Sequence, residues 1–312
     1  MTRGSPGKIS YIAYIRIMRP DQWYKNLLFF IPIVFSLNLF KMTLWYPSFV
    51  GFLALCISFG ASYTINDVID HKRDLWHPVK SKRAIPAGKI NPRQGLIWSI
   101  VLLSIGQILA YYVGINFFIV NISMILLTLF YSLKLKNYFL IDSFAIAFNY
   151  ILRAVAGAIV INVSISSWLI MGIFFFALLL VFGKRKSEIL FLEDNSLKHR
   201  KVLGDYTPQL LTYLITISSI AVLTIYSMYI VEGVSSTLED NRLVFTLPLV
   251  FFILIKFVNS MLCQDYKGRE FIEFFIHDKQ IFGAFVMYVT LLILLLYVFP
   301  HHWPEMKMFQ IK

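Results

Sequence analysis

NDVIDHKRDLWHPVKSKRAIPAGKI, residues Asn66 to Ile90, is a polar stretch set between two apolar ones. YPSFVGFLALCISFGASYTI precedes it and LIWSIVLLSIGQILAYYVGI follows. Each flank is long enough to cross about 30 Å of hydrocarbon, which takes roughly 20 mainly apolar residues. Three aspartates and six cationic side chains are therefore packed into one connector between two membrane-length helices.

The rest of the chain repeats that pattern. Of 312 residues 58% are hydrophobic and 15% charged, and mean hydropathy is +0.69. A soluble domain is about 45–50% apolar and about 25% charged. The composition excludes a soluble enzyme and predicts an integral all-α membrane protein. Nine spans are expected, near residues 24–40, 46–69, 93–113, 115–133, 140–162, 166–183, 208–231, 243–263 and 280–299. They form a single transmembrane domain over 1–312, with no separate soluble part and no cleaved signal peptide at the basic N-terminus.

Charge orients the spans. On this reading 23 of the 29 Lys and Arg residues fall before span one or in the connectors after spans two, four, six and eight. By the positive-inside rule those segments are cytoplasmic. The expected location is the inner, cytoplasmic membrane, with the N-terminus inside and the C-terminus outside. The net charge of +12 thus belongs to a bilayer protein. Nucleic acid is not an expected partner, because the cations lie between spans rather than on one soluble face. Cys56 and Cys263 fall in apolar stretches and read as small core residues.

Asp67, Asp70 and Asp74 stand at i, i+3 and i+7, so on a helix they share a face. Asn66 precedes them. Two readings fit. Like charges at this spacing repel unless a cation sits among them, and carboxylates are natural ligands for Mg²⁺, which commonly also takes substrate phosphate. Alternatively they are acids on a solvated helix end, balanced by Lys72 and Arg73. A charged cluster ending a span favours the functional reading. Lys80, Lys82 and Arg83 follow within reach of a metal-bound anion, and Arg and Lys suit phosphate. His71 and His77 read as solvated helix-end residues rather than ligands.

Further polar groups fall at the same side. Tyr131 and Lys136 follow span four. Asp142 and Arg153 are eleven residues apart, three turns on nearly one face. An intramembrane arginine faces a polar cavity or pairs with a carboxylate, and Arg153 is expected to line a substrate cavity. Lys184, Arg185 and Glu188 end span six, with Glu188 a partner for one of those cations or an acceptor for a ribose hydroxyl. Lys25 stands where the chain enters span one, and Lys256 lies inside span eight, able to snorkel.

In this order the motifs resemble a known family. N-D-x-x-D-x-x-x-D at Asn66 to Asp74 is similar to the first aspartate motif of the UbiA superfamily of intramembrane prenyltransferases. R-P-x-Q-W-x-K-N at Arg19 to Asn26, H-P-x-K-x-x-R at His77 to Arg83, Y-S-x-x-L-K at Tyr131 to Lys136, L-R-A-x-A-G at Leu152 to Gly157 and G-K-R-x-x-E at Gly183 to Glu188 resemble its decaprenyl-phosphate phosphoribosyltransferase branch. The resemblance covers spans one to six. A second aspartate motif, D-x-x-x-D, is broken here: Asp142 is present but position 146 is Ile146. Arg83 is followed by Ala84 where the branch commonly has proline.

The resemblance implies a nine-helix bundle with a polar cavity open to the cytoplasm. It implies transfer of 5-phosphoribose from 5-phosphoribosyl 1-pyrophosphate to a polyprenyl phosphate, releasing pyrophosphate. Asn66, Asp67, Asp70 and Asp74 would hold Mg²⁺ (or Mn²⁺), the three aspartates being catalytic. Lys25, Lys80, Arg83, Tyr131, Lys136, Asp142, Arg153, Lys184, Arg185 and Glu188 would contact substrate. The rival expectation is a prenyltransferase moving an isoprenoid from its diphosphate to an aromatic or glycerol-type acceptor.

Overall fold

A computed structural model describes residues 11–76, 79–192, 201–234, 242–262 and 276–299. His77, Ser196, Cys263 and the cations at 3, 8, 198, 200, 267, 269, 307 and 312 lie outside them. The described residues are helices joined by short turns, and eight of the helices are long and apolar enough to cross a membrane. The protein is a multi-pass membrane protein. The chain divides into two compact units, 1–164 and 165–312.

In the first unit, α1 (Tyr11–Arg16) leads into a 3₁₀ segment, Pro20–Phe30, and a short helix α2, Ile31–Phe35. Span one was expected at 24–40, yet these residues make no single helix. Pro32 has no N–H to offer the carbonyl one turn back, and the Ile31 N–H bonds Leu28 three residues behind it. The broken segment lies against α6 (Ile141–Val160). A Cβ at Gly157 of α6 would meet the Phe29 carbonyl oxygen at 1.9 Å, so only glycine allows this approach.

Helix α3 runs from Met42 to Asp74, 33 residues. At 1.5 Å per residue it is roughly 50 Å long, against about 30 Å of hydrocarbon. Its last turns, with the aspartates, therefore extend the apolar rod. Helix α4 (Pro92–Val113) begins with a capping box: Asn91 Oδ1 accepts the Arg93 N–H at 3.0 Å, and Gln94 Oε1 accepts that of Asn91 at 3.2 Å. Gly114, at φ 154°, alone separates α4 from α5 (Ile115–Leu133). Phe29, Leu55, Phe59, Phe117 and Met124 build one buried apolar cluster of this unit.

In the second unit, α7 (Ser167–Leu192) packs on α8 (Pro208–Met228), α8 on α9 (Leu247–Leu262), and α9 on α10 (Lys279–Ile293). Thr207 caps α8 and Asp278 caps α10 through their side-chain oxygens. Lys256 reaches along α9 to Asp278 at 3.7 Å.

Candidate functional site

The end of α3 presents its carboxylates to cations from three other segments. Asp67, only 2% exposed, accepts from Arg19 and, at 3.0 Å, from Arg83. The same Arg83 nitrogen donates to Asp74 Oδ2 at 3.0 Å, bridging one face of the helix across two turns. Asp70 accepts Lys136 Nζ on both oxygens, at 2.9 and 3.0 Å. Lys80 lies near enough to act on the Asp74 charge, and Asn66 is half-buried beside them.

Local structure explains each arrival. Arg83 sits just after the 3₁₀ turn Lys80–Lys82, which folds the connector back over α3. Lys136 is buried in the short turn between α5 and α6. Arg19 adopts a left-handed backbone, φ 52°, immediately before Pro20. A non-glycine residue there is strained; its ion pair and its stacking 5.0 Å over the Tyr63 ring hold it. Burial pulls the Arg83 guanidinium below the ordinary arginine range, with the Arg19 charge adding, while Asp67 and Asp74 oppose the shift. It remains a cation.

Arg19 was not among the expected site residues. Its signal was the Arg-Pro step of the motif at 19–26, hidden among the many basic residues that flank the spans. By contrast Lys72, Arg73, Lys82 and Lys89 are exposed. His71 hydrogen-bonds the Val68 carbonyl at 2.7 Å through Nδ1, which ties the ring to its own helix. Lys25 contacts Gln22 at 3.0 Å and the Tyr24 ring at 5.6 Å. Tyr131 is half-buried at the end of α5.

Deeper in this unit Arg153 is 4% exposed. Its Nε donates to Asn26 Oδ1 at 2.9 Å and its Nη1 to the Asn149 carbonyl at 3.1 Å. The guanidinium lies over the rings of Phe59 (4.2 Å) and Tyr150 (5.0 Å). Asp142 is fully buried and accepts from the Ser143 hydroxyl at 3.2 Å. It does not pair with Arg153: eleven residues of helix are about 16 Å of rise, beyond any direct contact.

Lys184, Arg185 and Glu188 belong to the second unit. Arg185 is buried and donates to Glu188 Oε2 at 2.8 Å, while Lys184 is exposed. Glu188 is thus a partner for one of its neighbouring cations.

Three carboxylates on one helical face are oxygen donors of the kind Mg²⁺ takes. In this arrangement cations hold them, and among the described residues no three acidic, imidazole or thiol groups converge as a ligand set. Arg19, Arg83 and Lys136 are each suited to phosphate. The arrangement therefore joins metal-ligand chemistry to phosphate-binding chemistry at one helix end.

The model of the UbiA prenyltransferase family matches residues 27–278. The chain belongs to the UbiA prenyltransferase family. The match crosses both compact units, and it makes this UbiA-family chain a transferase. A decaprenyl-phosphate phosphoribosyltransferase of Corynebacterium glutamicum is 31% identical over 69% of this chain and 66% of its own length. One from Mycolicibacterium smegmatis is 27% identical over 72% of each. A digeranylgeranylglyceryl phosphate synthase of Methanothermobacter thermautotrophicus is 29% identical over 48% of this chain and 51% of its own. The solved structure of a UbiA homolog from Archaeoglobus fulgidus bound to GPP and Mg²⁺ shares the fold, with TM-score 0.67, 17% identity, and coverage of 92% of this chain and 98% of that one.

Proposed function

We propose that this enzyme transfers 5-phosphoribose from 5-phosphoribosyl 1-pyrophosphate to a polyprenyl phosphate, releasing pyrophosphate, with Mg²⁺ (Mn²⁺ substituting). The relatives named decaprenyl-phosphate phosphoribosyltransferase carry the reading. The carboxylate face ringed by Arg19, Arg83 and Lys136 supports it.

In this reaction an acceptor phosphate oxygen bonds to the anomeric carbon as the bond from that carbon to pyrophosphate breaks. A phosphate monoester has its second pKa near 6, so the acceptor arrives as a dianion and no general base is needed. Asn66, Asp67, Asp70 and Asp74 would hold the metal ion. A metal ion held there would supply positive charge against the negative charge building on the leaving pyrophosphate. Arg19, Arg83, Lys80 and Lys136 turn from the carboxylates to phosphate oxygens, so the ion pairs of the free enzyme become a phosphate clamp. Arg153 supplies the deeper positive charge for substrate phosphate. Lys25, Tyr131 and Asp142 complete the site in the first unit. Residues 1–312 act as one enzyme of the cytoplasmic membrane, with the N-terminus and the aspartate connector inside and the C-terminus outside.

A prenyl donor is the second reading, favoured by the digeranylgeranylglyceryl phosphate synthase relatives. Ile146 weighs against it, because prenyl-transferring members usually carry a second aspartate of the D-x-x-x-D motif at that position. Radiolabelled phosphoribosyl pyrophosphate and prenyl diphosphate, offered separately to purified enzyme together with polyprenyl phosphate, an aromatic acceptor and a glycerol-type acceptor, separate the two: label enters product from the first only. Incorporation from the prenyl donor alone would overturn the proposal.

A further inference from the structure

Asn149 stands on the same face of α6 as Asp142 and Arg153, seven residues after one and four before the other. Asn149 is 8% exposed. Its Nδ2 donates to the Thr128 hydroxyl of α5 at 2.8 Å. That hydroxyl has one hydrogen, and it is given to the Met124 carbonyl at 2.8 Å. Thr128 therefore only accepts from Asn149, and this fixes which end of the amide is nitrogen. Asn149 Oδ1 is left buried with no hydrogen-bond donor among the described residues. A buried carboxamide oxygen without a donor is costly, and the chain has spent a hydroxyl of the neighbouring helix on holding it that way. The group that satisfies it must bring an O–H or N–H. Its neighbour one turn along is Arg153, whose Nη1 donates to the backbone carbonyl of Asn149, not to Oδ1.

We propose that Asn149 Oδ1 accepts a ring hydroxyl of the pentose donor, so that Asn149 is a specificity-determining residue for a sugar over an isoprenoid. The inference rests on the phosphoribosyl reading above and names the residue that recognises the sugar. A prenyl diphosphate carries no hydroxyl on its transferred group and leaves this oxygen unsatisfied. A site whose buried acceptor is built for a hydroxyl rejects the analogue lacking it.

The test compares kcat/KM for phosphoribosyl pyrophosphate and its 2-deoxy and 3-deoxy analogues, using purified full-length enzyme with polyprenyl phosphate. Wild type should lose at least about tenfold on one deoxy analogue, the worth of one hydrogen bond. Asn149→Leu should lose a similar factor on the natural donor and nothing further on that analogue. Thr128→Val, a near-isosteric change that frees the amide, should reduce the same discrimination and serves if Asn149→Leu does not fold. Wild type using all three donors equally would overturn the assignment, as would variants that lower all three in equal proportion, the result of a purely structural amide. Wild type inactive with every pentosyl donor would overturn the donor reading itself, and this assignment with it.

Discussion

Asp67 is the residue on which the site turns, because two guanidinium groups converge on one nearly buried carboxylate. Removing one partner of such a group leaves an uncompensated charge, while a role in binding metal or phosphate appears in rate. Asp67→Asn and Asp70→Asn should lower turnover by about a hundredfold or more, the scale for losing one electrostatic stabiliser. Folding, followed by detergent gel filtration, should be retained, and excess chelator should reproduce the loss in wild type. Full activity in chelator would remove the metal from the account. Arg19→Lys keeps the charge but loses the planar fork; it should raise KM for the donor several-fold. Arg153→Lys tests the deeper cation in the same way and should alter KM or kcat for one phosphate substrate with little change in Tm. If Arg153 is only a brace tying Asn26 to α6, Tm falls and the kinetics of the folded fraction do not change. The aspartate face was legible from i, i+3, i+7 spacing. Arg19 was not, since its fold partner lies 48 residues away and one arginine among many basic residues flanking the spans carries no local mark.

At the scale of elements, the apolar windows located eight helices because length and hydropathy alone decide them. The first window misled for a physical reason. The window 24–40 is apolar enough, but Pro32 interrupts the hydrogen-bond ladder and the chain is wedged on α6 instead. Hydropathy reports burial, not backbone continuity. The wedge depends on Gly157, whose Cβ would strike the Phe29 carbonyl. Gly157→Ala should therefore lower stability by about 1–3 kcal/mol, the usual cost of overpacking, seen as a reduced Tm in detergent. An unchanged Tm would contradict the close approach. The same wedge brings Asn26 to Arg153, a contact between residues 127 apart that no periodicity reveals.

For the whole molecule, the proposed topology puts the ion-paired connector on the cytoplasmic face, because the positive-inside rule assigns the cation-rich segments to that side. A Ser81→Cys variant, lacking Cys263, should resist a membrane-impermeant thiol reagent in intact cells and react after lysis; labelling before lysis means inverted topology. The central claim concerns what the assembled enzyme makes. Purified protein given 5-phosphoribosyl 1-pyrophosphate, polyprenyl phosphate and Mg²⁺ should yield a lipid whose mass spectrum shows the acceptor increased by one phosphoribosyl group, with pyrophosphate released in equal amount. A lipid of unchanged mass, alongside a prenylated product when a prenyl diphosphate is supplied, would contradict the account.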